Sequence, residues 1–123
     1  MSRVSDGGAW ETEVTRMMRA RGLYCIRIPH STGGQPADIV ALPPRGGVPV
    51  VIECKHCDSD RWPLSQLRDN QCATMDIIPP YADFYVAIHF TSGAALIPST
   101  YLDRAMSSGH KSIHYDEVSA YAL

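Results

Sequence analysis

Apolar side chains return at helical spacing near the start of the chain. Trp10, Val14, Met17 and Met18 fall at i, i+4, i+7 and i+8, one stripe of a helix from about Gly8 to Arg21 that Gly22 ends. The period then changes. Leu23–Ile28 reads as a strand stopped by Pro29, and Ser31-Thr32-Gly33-Gly34 as a polar loop. Ala37–Leu42 is a short apolar run broken only by Asp38, and Pro43–Gly47 is a turn. Val48–Lys55 is a β-branched strand whose end turns abruptly charged. Pro63 opens a predicted helix from Leu64 to about Ile77, with Leu64, Leu67, Gln71, Met75 and Ile78 on its inner side. Phe84–Phe90 and Ala94–Ile97, separated by Thr91-Ser92-Gly93, predict a hairpin. Ser99 is placed to cap a short helix through Met106, and Ser112–Tyr115 reads as a strand before a terminal helical turn. This order of elements implies an α/β domain with a central mixed sheet flanked by helices.

Size and charge narrow the picture little. The 123 residues fit one domain, 1–123, with a core that needs no disulfide staples. No run of 18 apolar residues exists to span a membrane, and Met1–Glu13 is polar and acidic, unlike a secretory signal. A soluble, intracellular (cytoplasmic) protein is expected. The net charge of −2 argues weakly against a nucleic-acid partner, but its distribution offsets this. Residues 1–68 carry nine Lys/Arg against seven Asp/Glu, while 69–123 carry two against six. If carboxylates of the first half hold cations, the surface met by a phosphate is more basic than the count. Cys54 and Cys57 in C-K-H-C invite a zinc reading, yet Cys25 and Cys72 stand alone, so reduced structural thiols are expected. His30, His56, His89, His110 and His114 share no metal spacing.

The chemistry concentrates where apolar strands are interrupted. In Val50-Val51-Ile52-Glu53-Cys54-Lys55, strand alternation puts Glu53 and Lys55 on one face and Cys54 on the other. Asp38 interrupts the preceding apolar run. A carboxylate inside each of two neighbouring apolar strands is costly to bury unless it is paired or binds a metal. If the strands pair, Asp38 and Glu53 converge on one hard cation, as magnesium is bound by one or two carboxylates plus water and substrate phosphate. Lys55 is then placed to orient a water or stabilise charge on a phosphate. An E-x-K triplet alone is a weak signal. Two interrupted strands joined across a Gly/Pro turn are far more specific.

These residues resemble the PD-(D/E)xK nucleases, which share the restriction-endonuclease fold. More narrowly, the run Gly7, Glu11, Gly22, Arg27, Pro29 and Ser31, followed by Asp38–Leu42 and Glu53-Cys54-Lys55, is similar without gaps to the archaeal-type Holliday junction resolvases, a family with viral members. The resemblance covers roughly residues 7–90; Ala37 stands where the family has its proline, with Pro36 one position earlier. It implies Glu11, Asp38, Glu53 and the Cys54 backbone carbonyl as metal ligands and Lys55 as the catalytic lysine. It further implies that Ser31 assists cleavage and Gln71 reaches toward the site. The implied cofactor is Mg2+, with Mn2+ as substitute. The implied partner is a four-way DNA junction, cut by a homodimer through paired symmetric nicks. On a helical wheel Glu11 and Glu13 flank the apolar stripe equally; the ungapped match favours Glu11. Arg16, Arg19, Arg27, His30, Arg61 and Arg68 are the candidate DNA contacts. The alternatives are a nuclease of this fold acting on a flap, an end or a restriction site, and a non-catalytic DNA-binding domain. Retention of Glu11, Asp38, Glu53 and Lys55 together argues against the last.

Overall fold

The computed structural model describes residues 3–29, 37–67, 71, 72, 75, 78 and 81–123. Helix α1 spans Arg3–Ala20, starting earlier than Gly8 because its first turns carry no apolar period to read. Its end is a Schellman motif. Leu23 N–H reaches back to the Met18 carbonyl at 3.2 Å and Gly22 N–H to Arg19 at 2.9 Å. This needs a left-handed residue, and Gly22 sits at φ +87.

Five strands form the main sheet: β1 (Tyr24–Arg27), β2 (Ile39–Leu42), β3 (Val50–His56), β5 (Asp83–His89) and β6 (Ala94–Pro98), in the order β1-β2-β3-β5-β6. β1–β2, β2–β3 and β5–β6 are antiparallel, and β3–β5 is parallel. The mixed α/β sheet is therefore as expected. Its two faces bury alternate residues. Cys25, Ile39, Ala41, Ile52 and Ala87 meet Trp10, Val14 and Met18 of α1. Val51, Phe84, Val86, Ile88 and Ile97 build the second core with Trp62, Leu64, Leu102, Ile113 and Val118. Each burial is worth about 1.5–3 kcal/mol for a large aliphatic side chain.

Two local expectations are corrected. Arg61–Pro63 is a strand, β4, paired with β7 (Ser112–His114) in a second small sheet, with Trp62 opposite Ile113. Pro63 therefore closes a strand instead of opening a helix. A 3-10 turn, Leu64–Gln66, follows it, and Gln71, Cys72 and Met75 are helical. Ser99 does not cap helix α2 (Ser99–Ser107): the cap position is Pro98 and Ser99 is a buried first residue. The chain ends in a 3-10 segment, Tyr115–Tyr121. Beyond it Ala122 bridges Ala95 and Leu123 N–H bonds to the Ala94 carbonyl at 2.8 Å, which covers part of the β6 edge. No described helix is long and apolar enough to cross a membrane.

Candidate active site

The β2–β3 register, with Ile39 opposite Ile52, sets Asp38 beside Glu53. Asp38 precedes β2 but continues its pairing: its N–H bonds to the Ile52 carbonyl at 3.0 Å and its carbonyl accepts from Ile28 N–H at 2.8 Å. Its carboxylate, Oδ2, accepts the Cys54 backbone N–H at 2.7 Å. Glu53, one residue back on β3, is buried, and so are Asp38 and Glu11. Lys55 Nζ lies 3.8 Å from Glu53 Oε1, with a side chain only 15% exposed. Side-chain alternation along β3 thus delivers an acid and a cation to one buried spot next to a second acid.

Electrostatics at this spot suit a bound cation. Burial, and then the neighbouring Asp38 charge, push the Glu53 carboxyl up to about 9, although Lys55 pulls it down and Glu11 adds to the rise. Burial and the Asp38 charge thus disfavour the ionised carboxylate unless a cation offsets them. Among the described residues the buried Glu53 Oε2 has no hydrogen-bond partner, a condition that costs stability unless a ligand satisfies it. Hard oxygen donors, one of them orphaned, suit Mg2+ or Mn2+. Among the described residues no three His, Cys, Asp or Glu side chains stand together as a ready-made metal cluster; Glu11 is the further acid nearest in electrostatic reach.

Glu11 lies close enough for its charge to raise both Glu53 and the Cys54 thiol. Its Oε2 accepts from Arg27 Nη2 at 2.9 Å, and Arg27 Nη1 also donates to Thr12 Oγ1 at 3.0 Å. Glu13 points elsewhere: it pairs with Arg16 on the surface, and that hydrogen bond holds its carboxyl below the usual range. Tertiary structure thus separates two glutamates that helical periodicity could not.

The remaining candidates are spread out. Gln71 is a buried helical residue. Arg16, Arg19 and Arg61 are exposed, Arg61 bonding Ser112 Oγ at 2.9 Å. Ser31, His30 and Arg68 lie outside the described residues. The four cysteines are thiols, none of them in a disulfide. One group was missed from sequence. His56 and His89 end the parallel strands β3 and β5 in register, and their rings stack at 5.1 Å and 8°. Trp10 meets His89 edge-on at 5.0 Å. With Ala9 and Glu13 these rings line a cavity of about 270 Å3. Burial, then His56, holds the His89 imidazole below its usual range. Only the parallel register, invisible locally, could have revealed the pair.

The mixed sheet, with Asp38 just before β2 and Glu53 and Lys55 on its central strand β3, has the restriction-endonuclease-like fold. Within it, the chain belongs to the archaeal Holliday junction resolvase (Hjc) family, whose model matches residues 2–107. That family comprises divalent-metal-dependent nucleases acting on branched DNA. Among solved structures, the chain is similar to Hjc of Archaeoglobus fulgidus, described as a Holliday junction resolvase from an archaeal hyperthermophile. The TM-score is 0.67 at 21% identity, covering 96% of this chain and 90% of that one. A search of curated proteins found no match.

Proposed function

We propose that this chain resolves four-way DNA junctions by paired, symmetric hydrolytic nicks, with Mg2+ as cofactor and a homodimer as the working unit. The observation that carries the reading is the buried pair Asp38 and Glu53 beside half-buried Lys55, with one Glu53 oxygen lacking a hydrogen-bond partner among the described residues. Asp38, Glu53, the Cys54 carbonyl and Glu11 would hold the cation. Bound there, a divalent ion supplies Lewis-acid polarisation of the scissile phosphate and eases deprotonation of the attacking water. Lys55 would sit beside that phosphate and offset the negative charge that grows on it in the transition state. Asp38, pinned by the Cys54 amide, fixes where that charge is met. Water attacks phosphorus, one P–O bond breaks, and the leaving oxygen takes a proton. A two-fold dimer matches the two equivalent scissile strands of a junction.

The test is a gel assay on a synthetic four-way junction beside linear duplex of the same sequence. The junction should be cut with Mg2+ or Mn2+ and left intact with Ca2+ or chelator. Asp38→Asn and Lys55→Met should lower cleavage by at least ~100-fold, the scale of a lost transition-state contact. Glu13→Gln, altering a surface pair, should cut within about twofold of wild type. Equal cutting of duplex and junction would shift the reading to a general nuclease; undiminished cutting in chelator would end the metal assignment.

A further inference from the structure

Each acid of the candidate site already has a protein partner. Asp38 takes the Cys54 amide at 2.7 Å, and Glu53 has Lys55 at 3.8 Å. Glu11 has Arg27 at 2.9 Å. The two cations differ in one respect that matters. Lys55 is 15% exposed, whereas the Arg27 side chain is 41% exposed over a Glu11 side chain only 10% exposed. Arg27 is the last residue of β1, paired across from Ile39, next to Asp38. Its guanidinium thus bridges from the sheet edge to α1, with a second bond to Thr12 Oγ1. A half-exposed ion pair exchanges partners at little cost. A DNA phosphate is a strong competitor for a guanidinium, because it accepts two parallel N–H bonds.

We infer that Arg27 is a positioning residue that holds Glu11 away from the metal in the free protein and releases it when a DNA phosphate takes its guanidinium. The bonds from Arg27 to Glu11 Oε2 and Thr12 Oγ1 are the hold. The inference rests on the metal reading above and adds an order to it: DNA contact and completion of the metal site favour each other. By linkage, DNA tightens the metal as much as the metal tightens DNA. Arg27 accordingly has two partners in turn, a carboxylate before DNA arrives and a phosphate after.

The experiment titrates the full chain with Mn2+ by calorimetry, without DNA and then with a four-way junction made hydrolysis-resistant at the crossover. Without DNA, Arg27→Ala should bind Mn2+ on the order of fivefold tighter than wild type, the low end of measured site-to-site couplings. The junction should tighten Mn2+ binding by wild type distinctly more than by Arg27→Ala. Arg27→Lys should restore most of the wild-type weakness. In Glu11→Gln/Arg27→Ala the gain should vanish, which separates release of Glu11 from a general loss of positive charge. Arg27→Gln is the second probe, should the alanine variant melt early by circular dichroism. Mn2+ affinity equal to or weaker than wild type in both variants, or equal tightening by DNA in all, overturns the handover. Failure of wild type to bind Mn2+ at all overturns the metal reading with it.

Discussion

Glu53 carries a consequence that can be measured without DNA. Below about pH 4.3 the folded and unfolded chains both hold its proton, and Glu53 adds no pH dependence to stability. Between there and about 9 the unfolded chain releases the proton while the folded chain keeps it, so stability falls as pH rises. Glu53→Gln removes the titration while retaining the shape. In chelator, its melting temperature should match wild type near pH 5 and exceed it increasingly toward pH 9. Parallel curves across that range would mean that Glu53 is ionised and satisfied in the folded protein. Much at this scale was legible in sequence. Alternation along β3 gave Glu53 and Lys55 a common face, and the interruption of an apolar run singled out Asp38. The choice of Glu11 over Glu13 was not legible from periodicity, because both flank the same stripe. Arg27, sixteen residues on in sequence, makes the distinction by bonding Glu11.

At the scale of elements, α1 is the part whose placement decides whether Glu11 can serve the site. Its apolar stripe of Trp10, Val14 and Met18 fixes rotation about the axis. The buried bond from Trp10 Nε1 to the Ala87 carbonyl, 2.9 Å across 77 residues, fixes its position along the sheet. Trp10→Phe keeps most of the apolar area and deletes that bond. Leaving a buried carbonyl without its donor should cost about 1–3 kcal/mol in denaturant unfolding. Junction cleavage should fall further than the unfolded fraction explains, since Glu11 is the next residue. Full stability in Trp10→Phe would place the hold elsewhere. The long elements were readable because each repeats its period several times. β4 was not: three residues ending in proline show no period, and its partner strand lies about fifty positions downstream. The apparent helix start at Pro63 was the better local reading, and tertiary pairing of Trp62 with Ile113 overrode it.

The whole molecule has the net charge of a poor DNA ligand, −2, so its grip on a junction depends on where charge sits and on how many copies present it. Positive charge is concentrated in the first half of the chain, which also supplies Glu11, Asp38, Glu53 and Lys55. A single copy offers one such face. In the proposed dimer, two copies related by a two-fold axis would offer two, matching the two-fold symmetry of a four-way junction. Surface for a second copy exists at the β1 edge, where Tyr24 is 70% and Ile26 47% exposed, more apolar exposure than an edge strand usually keeps. The proposed dimer makes a sharp prediction about mixed assemblies. Wild-type chains mixed and reassembled with an excess of tagged Lys55→Met chains should form hybrids with one working site. Purified through the tag and given a junction, hybrids should nick one strand and stop, yielding a junction with a single break. The wild-type dimer should instead yield two linear duplexes whose nicks a ligase can seal, because its two cuts fall at symmetric positions. Paired cuts from the hybrid would mean that one site serves both strands in turn. Light scattering that showed a single chain at the assay concentration would remove the dimer and leave two independent cutting events to explain resolution.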